Sequence, residues 1–247
     1  MSSPSSPRRL GRRGIIWIVV AVVALLAGAA LVFGPAFYRD VIVGEAPPAP
    51  TVGAGTPTPE GTEAGDEEPA SDPLTELDGS WTASEGSFAG YRVDEVLNGT
   101  DVTVVGRTEE VTADVTVADL TVTEGSITVD VGSIATDEGA RDAYFRDNAL
   151  EVEEFPTATF TLTEPITGDV PESGTVTTQA TGELTLHGVT REVTADVQVA
   201  FDGRTAEVAG SIPITFEDYG VQAPSLGFVS VEPEGFVEFH LVLDKSE

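Results

Sequence analysis

Residues 193–201 read VTADVQVAF. Val193, Ala195, Val197, Val199 and Phe201 fall on one side of an extended chain, and Thr194, Asp196 and Gln198 on the other. Side chains of a strand alternate between two faces, whereas apolar positions on a helix recur every three or four residues. The stretch is therefore a half-buried strand. The same alternation runs through Ile127, Val129 and Val131 against Ser126, Thr128 and Asp130, and through Phe160 with Leu162 and Phe239 with Leu241 and Leu243.

Outward from this stretch, strands are expected at roughly 86–96, 101–106, 109–118, 120–133, 157–166, 175–187, 189–201, 204–216 and 235–244, the fourth bent near Glu124-Gly125. Hairpin-length turns between them imply an all-β antiparallel sandwich or barrel of about eight strands. One interval breaks the alternation. Asp137–Glu154 (DEGARDAYFRDNALEVEE) has an acidic start that suits a helix N-terminus and ends against Phe155-Pro156, so one short helix crosses one end of the sheet. No internal repeat is visible.

Before the strands lie three different segments. Residues 15–33 (IIWIVVAVVALLAGAALVF) are uncharged and apolar, and as a helix they span about 28 Å, close to a bilayer's hydrocarbon core. Arg8, Arg9, Arg12 and Arg13 precede them, so the positive-inside bias places residues 1–14 in the cytoplasm and everything after Tyr38 outside. The competing reading is a cleaved signal peptide with Ala27-Gly28-Ala29 at its cleavage site. The run continues four residues beyond that site and exceeds a usual signal core of about 7 to 15 residues, which favours an anchor. Neither arginine pair is followed by the rest of a twin-arginine signal. Residues 34–76 are rich in Pro, Gly, Thr and acid without apolar periodicity, and are expected to be a disordered linker to a domain at 77–247.

Charge narrows the function classes. The chain has 247 residues, 12 Lys and Arg against 42 Asp and Glu, and a formal charge of −30. Such a chain repels nucleic acid and anionic lipid surfaces, so nearness to a membrane has to come from the tether. Absence of cysteine excludes disulfides, thiolate catalysis and an acylated-cysteine anchor. With only His187 and His240, a zinc site would need carboxylates from elsewhere, and no metal or cofactor is expected. There is no G-x-S-x-G, phosphate-cradling loop or H-E-x-x-H, and the acids sit mostly at turns and outward strand positions, which argues against an enzyme.

Three stretches in order carry a resemblance. The first is Ser133-Ile134-Ala135-Thr136 followed by Arg141-Asp142 and by Phe155-Pro156-Thr157-Ala158-Thr159-Phe160. The second is residues 182–193, GELTLHGVTREV, and the third is Ile214-Thr215-Phe216-Glu217-Asp218-Tyr219-Gly220. Together they resemble the YceI-like family of exported lipid-binding proteins over about residues 80–245, with LTLHGVTREV the most specific part. The family's opening His-Ser pair has no counterpart, since the first strand reads SFAGYRVDEVL from Ser87.

The resemblance implies an extended lipocalin-like antiparallel barrel whose interior holds a long isoprenoid or comparable amphiphile, without catalysis. A barrel of about eight strands is wide enough to enclose one ligand. On that reading Arg141, Tyr144 and Phe145 sit at the mouth for a polar head group, and Phe155, Phe160, Phe216 and Tyr219 line the cavity, with His187 in the hairpin beside them. The plainer alternatives stay open: Arg141 braces the helix against an acid, the aromatic rings are ordinary core, and His187 is a hydrogen-bonding bracket. A structural or protein-interaction β-domain with a packed interior is the rival function.

Overall fold

The structure is a computed structural model that describes residues 46–53, 77–97, 99–167, 175–201, 204–225, 227 and 229–246. The apolar run 15–33 and the basic tail before it lie outside the described residues. Among the described residues, no helix is long and apolar enough to cross a membrane.

The strands are β1 (Gly79–Ala83), β2 (Phe88–Leu97), β3 (Thr100–Thr108), β4 (Val111–Ala118), β5 (Thr121–Asp130), β6 (Thr157–Leu162), β7 (Ile166–Thr167), β8 (Thr175–Leu186), β9 (Val189–Phe201), β10 (Thr205–Thr215) and β11 (Val229–Lys245). All pair antiparallel. Their order is β1-β4-β5-β6-β8-β9-β10-β11, and β1 pairs β11 as well as β4, so eight strands close into a barrel. Closure leaves no open sheet edge around that ring.

Beyond a short corner at 84–87, β2 continues where β1 stops, and β3 stands in the same relation to β4 across 109–110. The 17-residue β11 therefore meets β1 at one end, Trp81 opposite Lys245, and β2 at the other, Leu97 opposite Val229. We call the β1 end lower and the Leu97 end upper. Between β3 and β6 the upper wall is completed by residues 131–155, which include α1 (Gly139–Tyr144) and a π-helical turn at Phe145–Ala149. A bridge between Arg107 and Ala135 joins this segment to β3.

The expected strands are present, with four differences that have local causes. β1 is not among the expected strands because five residues with one large apolar side chain, Trp81, are too short to show a period. β5 stops at Asp130, whose side chain accepts from the Gly132 amide at 2.9 Å and turns the chain into a 3-10 turn at Val131–Ser133. β6 stops at Leu162 because the Thr163 and Glu164 amides both turn to Thr181 O, at 3.0 and 3.4 Å, so the ladder with β8 advances no further. β11 starts six residues earlier than expected because the run Glu232-Pro233-Glu234 forms a bulge between Val231 and Gly235, where a proline without an N–H is tolerated. The bend expected near Glu124 is a register shift opposite Thr116 and Val117.

Residues 46–53 of the expected linker are laid along the outside of the barrel. Arg92 Nη2 donates to Pro47 O at 2.8 Å, Arg107 Nη2 to Pro48 O at 2.8 Å, and the Gly53 amide to Glu207 Oε2 at 2.8 Å. Disorder is thus not a property of the whole segment 34–76.

Candidate functional site

Inward positions follow from the period of two. On β8 they are Val176, Thr178, Ala180, Gly182, Leu184 and Leu186; on β10 they are Ala206, Val208, Gly210, Ile212 and Ile214. Glycine at Gly182 and Gly210 leaves a dent in each strand. The Phe160 ring of β6 lies over Gly182 and the Phe239 ring of β11 over Gly210, so closely that a Cβ at either glycine would overlap the ring. With Leu184, Ala195 and Ile212, all at most 2 % exposed, these rings form a waist across the barrel.

The waist separates two cavities of about 530 Å³ each, both in the size range of small-molecule sites. The lower chamber is walled by Trp81, Val115, Ile127, Leu162, Val197, Val199, Phe201, Val208 and Leu243, with Phe160 and Phe239 as its ceiling. Trp81 donates its indole N–H to Leu77 O at 2.9 Å, meets Phe201 edge-on at 5.8 Å and carries the Lys245 ammonium over its ring at 5.9 Å, so the floor is built on two aromatic rings. The upper chamber is walled by Tyr91, Val93, Val104, Val129, Leu186, Ile214, Phe216 and Val237 and covered by Arg141, Tyr144 and Phe145 from the helical segment.

Charge enters the upper chamber alone. Glu95 lies in phase with Tyr91, Val93 and Leu97, points inward and is 6 % exposed. Arg141 Nη2 reaches it at 3.3 Å, while Arg141 Nη1 holds Asp137 at 2.7 Å. Burial opposes the charge on Arg141, but the two carboxylates outweigh it and raise its pKa. Asp142 accepts from the Thr136 amide at 2.9 Å and from its hydroxyl at 2.7 Å, which fixes the start of α1 and hence the position of Arg141. Burial pushes the Tyr91 phenol well above its ordinary range, and its ring stacks on Phe145 at 4.8 Å. A neutral phenol, a guanidinium and a carboxylate thus sit at the rim of an apolar hole. That arrangement offers both donors and acceptors to a polar group whose tail enters the barrel.

Of the residues expected at the site, Arg141, Tyr144, Phe145 and Phe216 line the upper chamber and Phe160 the lower one. Phe155, His187 and Tyr219 line neither. His187 and Gly188 are the two-residue loop of the β8–β9 hairpin, both with positive φ (51° and 72°), as a primed hairpin turn requires. The His187 ring packs edge-on against Phe155 at 4.8 Å, with Nδ1 3.0 Å from Tyr219 O and Nε2 3.1 Å from Glu151 Oε2. It fastens the hairpin to the helical segment and to the 3-10 turn at Phe216–Tyr219, which is a bracket and not a wall of the cavity. Tyr219 is 2 % exposed, and its hydroxyl finds no hydrogen-bond partner among the described residues.

Four further residues shape the site without being expected there from the sequence: Trp81, Tyr91, Glu95 and Phe239. Glu95 and Tyr91 were within reach of the pattern, since both share the phase of Val93. His240 faces outward, stacked on Phe88 at 5.3 Å and 4.0 Å from Glu207 Oε2. Among the described residues no group of three or more His, Asp and Glu is placed to hold a metal ion.

The chain matches the YceI-like domain over residues 81–243. No curated protein matches it. Among solved structures it is similar to a polyisoprenoid binding domain from Saccharophagus degradans implicated in plant cell wall breakdown, at 19 % identity and a TM-score of 0.55, covering 68 % of this chain and 98 % of that one. Burkholderia cenocepacia BcnA matches at 24 % identity and a TM-score of 0.47, covering 62 % and 95 %. A Campylobacter jejuni YCEI protein matches at 17 % and 0.42, covering 57 % and 85 %. The first of these supports the barrel fold; the match to the family's domain spans well over half of the chain, and the chain belongs to the YceI-like domain family.

Proposed function

We propose that this protein binds a long amphiphile, an isoprenoid or a lipid of similar shape, with its polar end at Arg141 and Glu95 and its tail threaded past Phe160 and Phe239 into the lower chamber. The observation that carries the reading is the pair of stacked apolar chambers, of which only the upper is lined by charged groups. Each CH₂ buried in such a wall adds up to about 0.8 kcal/mol, so tail length dominates affinity and the head group sets direction. The Saccharophagus degradans relative, described as polyisoprenoid binding, supports the same ligand class.

The role is carriage or storage without catalysis. At the rim Arg141 is paired with Glu95 and Asp137, the lining around them is mostly aromatic and aliphatic, and among the described residues there no nucleophile is held against a base. On this reading residues 15–33 anchor the chain in the cytoplasmic membrane, the arginines before them stay inside, and the barrel works at the outer face.

Native mass spectrometry of the full chain, extracted in mild detergent, tests the proposal. The expected result is an adduct that organic solvent releases as a long-chain lipid. An interior that stays empty and takes up no added prenyl alcohol would sink it and leave a protein-interaction domain as the better reading.

A further inference from the structure

The outer surface of β2, β3, β10 and β11 holds an arrangement that lipid binding does not use. Positions 238 and 240 of β11 face away from the cavity, yet Glu238 is 3 % and His240 8 % exposed. Arg92 Nε pairs with Glu238 Oε1 at 2.5 Å, and Arg107 lies over the Phe88 ring at 4.6 Å. The outermost layer of this cluster is residues 46–53, APPAPTVG.

Three prolines, Pro47, Pro48 and Pro50, hold this strap extended and leave carbonyls without competing amides, which suits the guanidinium donors of Arg92 and Arg107. Its attachment points define a direction. Arg92, holding Pro47, pairs with Phe236 of β11, and Glu207, holding Gly53, pairs with Val242. Six residues of β11 span about 20 Å, and six residues of polyproline-type chain span about 19 Å. The strap therefore runs beside β11 in the same direction, and its first residue points to the upper end, where Val231 pairs with Glu95.

We infer that the strap orients the barrel on its anchor, so that the charged upper mouth and not the lower chamber faces the bilayer. The inference rests on reading residues 15–33 as a membrane anchor. With the strap docked, only residues 34–45 separate the two, and a flexible segment of that length has a reach of about 20 Å, against about 36 Å for the whole of 34–76. A lipid leaving the outer leaflet then meets Arg141 and Tyr144 at the upper end, with Tyr91 and Glu95 behind them.

The chain lacks cysteine, so single labels are specific. Donor dyes at Asp101→Cys, at the upper end, and Ala118→Cys, at the lower end, are read in the full chain in phosphatidylcholine vesicles carrying head-group acceptors. Energy transfer from position 101 should exceed that from 118 at least twofold, and the two should converge when Pro47, Pro48 and Pro50 are all changed to Gly, which leaves every barrel residue intact. Equal transfer in the unaltered strap overturns the orientation, and an asymmetry that survives the glycine variant overturns the strap as its cause. A chain that fails to float with vesicles overturns the anchor and the orientation together.

Discussion

The two chambers share one barrel and nearly one volume, but they are closed in different ways. The lower chamber ends on Trp81, Phe201 and Leu243, and no charged side chain is among the groups that line it. The upper one ends on Glu95, Arg141 and Tyr144 and is covered by a helical segment with its own hydrogen-bonded frame. Strands alone can make an apolar tube of either polarity. What breaks the symmetry is an inward carboxylate on β2 and a cation brought to it from 46 residues away.

Merging the chambers should have the largest effect. Phe239→Ala removes a ring from the waist and should destabilise the protein by about 3–5 kcal/mol in urea unfolding, with Phe239→Leu losing much less. Added prenyl alcohol should restore more stability to the alanine variant than to the parent, because the enlarged cavity has more wall to cover.

Breaking the polar end comes next. Arg141→Met leaves Glu95 buried without its partner and should cost about 3 kcal/mol. Adding Glu95→Gln should recover a large part of that, a coupling that a double-mutant cycle of unfolding free energies measures. Failure of the second change to recover stability would mean that Arg141 acts through Asp137 and not through Glu95.

The smallest change in stability should come from filling the blind end. Val208→Trp adds bulk to the lower chamber and should cost about 1–3 kcal/mol if the chamber were already packed, and less if it is open. The lipids extracted from this variant should be shorter than those from the parent, while the corresponding filling of the upper chamber, Val104→Trp, should lower affinity without selecting length.

Much of this was legible beforehand because strand alternation is local. VTADVQVAF, the phases of β5, β6 and β11, and the hairpin around His187 all depend on neighbours within a few residues. Glu95 was legible in phase but hidden by its charge, since an acid on a strand reads as an outward position. β1 was hidden by brevity, and the early start of β11 by an acidic bulge that imitates a loop.

The strap marks the boundary most clearly. APPAPTVG has the composition of a spacer, and nothing within it announces a docking site. Its partners, Arg92, Arg107 and Glu207, lie 45, 59 and 154 residues further along. Local pattern and motif thus established an all-β domain of the YceI-like family. Closure of the ring, the waist where two rings settle over glycines of adjacent strands, the buried Glu95–Arg141 pair and the direction of the strap were decided only when the chain folded. Each depends on distances between residues far apart in sequence, and those distances exist only once the barrel has closed.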